Sequence, residues 1–220
     1  MISLKKGVAP SILQENAEAW TQTLRDHEAA GTLPTAAEKS RYRHVDIKRA
    51  LLLETHKKCA YCESKFLHVT YGDVEHVVPK STSVERSFEW VNLTLACDVC
   101  NTNKSDHFGT HDDLVDPYVV NPLEHLSFVG AMVLPVPGSG RGHATESTIR
   151  LNRLDLLERR AERLQQICRQ LHLLVEVADA DRRAVIRRDL EREYEPIAEY
   201  SAMTKRYVDE ELARIDGASA

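Results

Sequence analysis

Residues 73–104 read DVEHVVPKSTSVERSFEWVNLTLACDVCNTNK, and this stretch decides the fold. Glu75 and His76 close a short run that begins near Thr70, and Pro79 ends it, because proline has no N–H to give to a strand ladder. A polar loop over residues 80–91 follows, then a second apolar run from Asn92 to Ala96, then a short helical stretch over residues 98–105. Strand, loop, strand and helix in that order predict a ββα unit. Cys97 and Cys100 form a Cys-x-x-Cys knuckle at the start of the helix, with Asn101 directly after it, and Cys59 and Cys62 form another upstream. Two knuckles offer four thiolates, a closed tetrahedral set for structural zinc. A thiol redox motif needs only one such pair. The 34 residues between the knuckles are therefore an insert whose ends the metal holds together.

Outward from this core the chain divides into segments. Residues 1–58 predict an N-terminal helical segment: a helix over about 12–30, a polar loop over 31–43 containing Pro34, and a second helix over about 45–57. Ser11 with Gln14 reads as a capping box on the first helix, and Gly31 as its stop. In the second helix Ile47, Ala50, Leu51 and Leu53 are the apolar positions. Residues 59–110 are the core, and 111–150 an irregular and β extension with turn signals through 114–130. A strand is expected over 131–136 and a flexible glycine-rich turn at 138–142.

Residues 151–220 predict a helical region. Asn152 reads as a cap, and Leu154, Leu157, Ala161, Leu164, Cys168, Leu171 and Val175 recur at helical spacing, which predicts a buried Cys168. Further helices are expected over 180–193 and from Pro196 to about 214, with a frayed tail. The fold class is α+β and mainly helical, a zinc-stapled ββα core flanked by helices.

Composition narrows the function classes. Hydrophobic content of 42% in 220 residues suits a globular protein with a core of its own. No apolar run approaches the roughly 20 residues that span a bilayer, and no basic start leads into an apolar stretch. A cytoplasmic location without a membrane partner is expected, where cysteines serve as metal ligands or free thiols. The net charge of −5 is unusual for a solitary nucleic-acid binder.

Glu75-His76-Val77-Val78-Pro79, then Asn92, then Cys97-x-x-Cys100-Asn101-x-x-Lys104 resembles the HNH endonucleases, the ββα-metal nucleases. The resemblance implies that His76 is the general base that activates water, and an ordinary histidine pKa of about 6.5 suits that task near neutral pH. It implies that Glu75 and Asn101 hold one divalent cation, usually magnesium, that Asn92 orients the His76 loop, and that Lys104 contacts phosphate. Asn101 stands where many members have histidine, and Glu75 where many have aspartate. His107 and His111 read as solvated loop residues rather than substitute ligands.

A narrower resemblance covers more of the chain. Lys5-Lys6-Gly7, Cys59-Ala60-Tyr61-Cys62-Glu63, Trp90 before Asn92, Asp116-Pro117, Asn121-Pro122 with His125, and Ile149 to Arg153 leading into Glu158-Arg159-Arg160 are similar to the retron- and Septu-associated HNH nucleases known as PtuB. That implies an anti-phage role beside an ATPase partner of the ABC/SMC type, PtuA-like, in a higher-order complex.

Charge supports a partner separately. Between Thr55 and Thr110, Lys57, Lys58, Lys65, Lys80, Arg86 and Lys104 face Glu63, Asp73, Glu75, Glu85, Glu89, Asp98 and Asp106, so the core is not basic. Arg182, Arg183, Arg187 and Arg188 alternate with acidic residues and read as an ion-paired helix face. The expected function is a metal-dependent endonuclease acting on nucleic acid, DNA by preference. Its alternatives are a stand-alone restriction-type nuclease and a non-catalytic zinc-stabilised adaptor. An adaptor has no need of Glu75, His76, Asn92 and Asn101 together.

Overall fold

The computed structural model describes residues 1–107 and 114–217. Helix α1 (Ser11–Ala29) turns Leu13, Thr21 and Leu24 inward, with Ile12, Ala17 and Trp20 packed beside them. Its N-cap is Pro10, and Ser11 is already helical; Gln14 donates instead to the Ala9 carbonyl at 2.6 Å. The capping box lies further on, at Thr35 and Glu38, where it opens α2 (Ala36–Ser40) inside the stretch predicted as loop. Thr35 and Glu38 satisfy each other's backbone N–H groups, which suffices to start a helix just after Pro34. The chain continues through a 3-10 turn, Arg41–Arg43, that buries Tyr42. Helix α3 (Val45–Glu54) buries Ile47 and Leu51, while Leu53 faces outward at 70% exposure.

Strands β1 (Asp73–His76) and β2 (Leu93–Ala96) pair antiparallel, Asp73 opposite Ala96 and His76 opposite Leu93. Helix α4 (Asp98–Lys104) follows and packs on β1, completing the expected ββα unit. Every residue of β2 is buried, since α3 covers it from one side. The β1–β2 connection contains 3-10 turns at Val84–Phe88 and Trp90–Asn92. Trp20 of α1 seats edge-on against Phe88 of the first turn, ring centroids 5.3 Å apart.

A second hairpin, β3 (Leu126–Val129) and β4 (Met132–Pro135), turns at Gly130, whose φ of +55° suits glycine. The sequence places β4 but not β3, whose residues lie inside the stretch of turn signals. The Gly-rich run does not form a flexible turn. It opens α5 (Gly140–Ile149), with the Ser139 hydroxyl accepting from the Gly142 N–H. Gly142 is needed there: a Cβ would come within 2.0 Å of the His125 carbonyl oxygen.

Helices α6 (Leu154–Glu176), α7 (Ala180–Arg192) and α8 (Ser201–Gly217) complete the described chain. Arg153, not Asn152, caps α6. Asn152 instead brackets β4, accepting from Val133 N at 2.8 Å and donating to Val133 O at 2.7 Å. The buried face of α6 is rotated from the predicted one. It runs through Leu156, Arg160, Ile167, Leu171 and Leu174, while Leu154, Val175 and Cys168 are exposed. Arg160 explains the misreading, because a buried guanidinium interrupts the apolar pattern that would have set the phase. Its NH1 donates to the Leu151 carbonyl at 2.7 Å. Pro196 does not start a helix; it lies in a run of turns before α8.

The main hydrophobic core draws residues from Met1 through Met203, across all four segments. A smaller one joins α6, α7 and α8 through Ile167, Leu171, Leu174, Leu190 and Val208. Among the described residues no helix is long and apolar enough to cross a membrane.

Candidate active site and zinc knuckles

The four cysteines of the two knuckles converge. Their sulfur atoms lie within 4.8 Å of one another, all buried, with those of Cys62 and Cys97 3.9 Å apart. Thiolates about 2.3 Å from a tetrahedral zinc would sit roughly 3.8 Å from each other, so the quartet fits the ion. Local bonds shape the first knuckle: Glu63 N donates to Cys59 O, and Cys59 N donates to Ser64 O, both at 3.0 Å. Ala60 N donates to Leu95 O and ties the knuckle to β2. The sequence reading missed Arg153, whose guanidinium approaches Cys100 Sγ at 3.6 and 3.7 Å. Burial works against its charge, yet the Cys100 sulfur holds the guanidinium pKa above its ordinary value. An arginine beside a zinc thiolate offsets part of the net negative charge of a four-cysteine site.

Glu75, His76 and Asn101 share a cleft of about 410 Å³ with Tyr42, Arg43, Lys80 and Asp106. His76 ends β1 and is buried, with Tyr42 edge-on at 4.6 Å between ring centroids. Its Nε2 lies 3.0 Å from the Ser87 carbonyl oxygen. A carbonyl only accepts, so the neutral ring carries its proton on Nε2 and keeps a lone pair on Nδ1. Burial lowers the His76 pKa to about 4, with Lys80, Lys104 and Arg43 pushing the same way against the Ser87 bond. The ring is therefore a neutral base near pH 7.

Asn92 stands at the end of the 3-10 turn before β2. Its Oδ1 accepts from Val78 N at 2.8 Å, and its Nδ2 donates to Val78 O at 2.9 Å and Arg86 O at 3.1 Å. The amide thus fastens the loop leaving His76 to the loop that carries Ser87. Asn101, one residue into α4 from Cys100, donates from Nδ2 to Asp73 Oδ2 at 2.8 Å. Asp73 was not singled out in the sequence; its place two residues before Glu75, on the same side of a strand, was the available signal.

Lys104 departs from the expected phosphate contact. It is buried, and its ammonium is committed to Glu75 Oε1 at 2.8 Å and the His76 carbonyl at 2.9 Å. One helical turn after Cys100, the side chain points back under β1, where the Glu75 carboxylate needs a counter-charge. Burial raises the Glu75 pKa, and Lys104 opposes that rise. His107 is exposed, and His111 lies outside the described residues. Two oxygen donors in one cleft, a carboxylate and an amide, are the chemistry that a hard divalent cation takes.

Fold and site together define a class. Residues 59–107 match the model of the HNH endonuclease family, and the chain carries an HNH endonuclease domain there. Beyond that domain it is similar to the Septu protein PtuB of Bacillus thuringiensis, 29% identical over 160 residues that make up 71% of this chain and 57% of that protein. The Septu protein PtuB of Bacillus mycoides (strain KBAB4) is 26% identical over 152 residues, 55% of this chain and 52% of its own. The chain spans little more than half the length of these curated relatives.

Proposed function

We propose that this chain is a metal-dependent endonuclease that hydrolyses phosphodiester bonds in nucleic acid, DNA by preference. The observation that carries the reading is His76: a buried, neutral imidazole with its proton fixed toward Ser87, sharing a cleft with Glu75 and Asn101. Nδ1 takes a proton from the attacking water, and burial, helped by the positive charges nearby, keeps the ring from being protonated beforehand. The Glu75 carboxylate and the Asn101 amide oxygen would hold the cation, magnesium by preference. When bound, it supplies charge for the leaving oxygen. Asn92 holds the loop after His76, and Lys104 holds Glu75. Cys59, Cys62, Cys97 and Cys100 would hold structural zinc.

The similarity to Septu proteins supports a role as the nuclease of a two-component anti-phage system in the cytoplasm, beside a PtuA-like ATPase of the ABC/SMC type. Net charge agrees with a partner, because a chain of charge −5 has little general attraction for phosphate. The test is cleavage of supercoiled plasmid with magnesium, with and without the ATPase, by wild type and His76→Ala. Loss of cutting in His76→Ala is expected; equal cutting by both proteins would falsify the assignment. Full activity without the ATPase would favour a stand-alone nuclease.

A further inference from the structure

With Lys104 committed beneath Glu75, the phosphate-binding role predicted for it falls to other residues. We propose that Arg43 and Lys80, both held against the Tyr42 ring, form the clamp that holds the scissile phosphodiester in the His76 cleft. This rests on the nuclease reading and adds a substrate subsite built from Arg43, before the matched domain, and Lys80 within it. Arg43 belongs to the 3-10 turn after α2, and Lys80 follows Pro79 at the exit of β1. Both are exposed, and both line the cleft with His76.

Tyr42 sets their places. Its ring is buried and touches His76; its hydroxyl accepts from Lys80 Nζ at 3.0 Å. The Lys80 ammonium sits 4.5 Å from the ring centroid and the Arg43 guanidinium 5.4 Å from it. Three nearby arginines have carboxylate partners: Arg41 with Glu38, Arg49 with Asp46, Arg25 with Glu85. Arg43 and Lys80 have none among the described residues, although the chain is acidic overall. Two cations held against one ring repel each other, and an anion between them relieves that repulsion. A backbone phosphodiester carries one negative charge on two non-bridging oxygens. The guanidinium fork suits that pair of oxygens, and the ammonium suits the charge.

Two measurements test this on the full, zinc-loaded chain. In a His76→Ala background, binding of a fluorescein-labelled DNA duplex is followed by anisotropy across a salt series. Adding Arg43→Ala or Lys80→Ala is expected to weaken binding about tenfold each and to reduce the slope of log K against log salt by about one. In the otherwise wild-type chain each substitution is expected to slow plasmid cutting by on the order of tenfold or more, with Arg43→Lys recovering part of the loss. Zinc content and circular dichroism should stay unchanged. Unchanged slope and unchanged cutting in the double variant overturn the clamp while leaving the nuclease reading intact, as does absence of DNA binding by the parent at low salt. A lost slope in a chain whose wild type cuts neither alone nor with the ATPase keeps the clamp and removes the nuclease reading.

Discussion

The proposed roles of His76 and Asn101 depend on which atom each presents, and in both cases a neighbour makes the choice. The Ser87 carbonyl assigns the imidazole proton to Nε2. Asp73 engages the Asn101 NH2, so the amide oxygen is the donor left for a cation. Removing that carboxylate frees the amide to turn its NH2 toward the cleft. Asp73→Ala is therefore expected to raise the magnesium concentration for half-maximal cutting severalfold while zinc content stays constant; an unchanged magnesium requirement would contradict it. Asn92 is 4% exposed and makes three side-chain bonds to backbone. Asn92→Ala strands those groups and is expected to cost about 3 kcal/mol, read from urea unfolding. The residue types were legible from the sequence because the chemistry demands them in that order. Their orienting partners were not: Ser87 and Tyr42 carry no signature of their own, and Asp73 only its alternate position on the strand before Glu75.

At the scale of elements, the ββα unit is short and depends on its staples. Four-residue strands bury too little surface to hold two knuckles 34 residues apart. Zinc removal by a strong chelator, or Cys100→Ser, is accordingly expected to lower the melting temperature by ten degrees or more for a domain of this kind; a chain that melts unchanged without zinc would argue against the staple. Another tie is the Lys6 side chain. It lies between Trp90 and Tyr118, 4.2 and 4.4 Å from their centroids, pairs with Glu54 at 3.0 Å, and donates to the Leu93 carbonyl. The Lys5-Lys6-Gly7 and Trp90 motifs, read separately in the sequence, are two halves of one contact. At the far end of the chain Glu193, just past α7, accepts from Arg163 and Gln170 of α6. Burial works against its charge, but those bonds win and hold its pKa below the ordinary glutamate value. The unfolded chain then takes up a proton at higher pH than the folded one, so this contribution is full above the ordinary glutamate value and is lost as pH falls through the folded one. Glu193→Gln should narrow the gap in urea midpoint between neutral and acidic solution.

Across the whole molecule, the first cysteine knuckle is a junction as well as a candidate zinc staple. Lys58 and Glu63 flank the first cysteine pair, nearly unexposed, 2.9 Å apart. Lys58 also donates to the Ala198 carbonyl at 2.9 Å and Ser201 Oγ at 3.1 Å, and Ser201 donates to Glu63 at 2.7 Å. Ser64 meets the Tyr200 hydroxyl at 2.9 Å, and Lys65 N donates to Glu199 at 2.8 Å. The turn before α8 is thereby docked on the nuclease domain. Lys58→Ala leaves Glu63 short of a buried counter-charge and is expected to cost about 3–5 kcal/mol, measured by denaturant unfolding with zinc bound. A loss below about 1 kcal/mol would mean the junction relaxes freely.

By itself the sequence determined the ββα order and the cysteine quartet and supplied the residue types proposed for catalysis, because metal coordination and proton transfer each require particular side chains at tight local spacing. It also placed most of the helices, since their apolar periodicity is strong. Only the tertiary structure decided the rest: the phase of α6, the docking of the turn before α8, the retirement of Lys104 beneath Glu75, and the approach of Tyr42, Arg43 and Lys80 to His76. These depend on contacts between residues far apart in the chain, where spacing carries no information and burial alone selects which charge is paired and which is left facing the cleft.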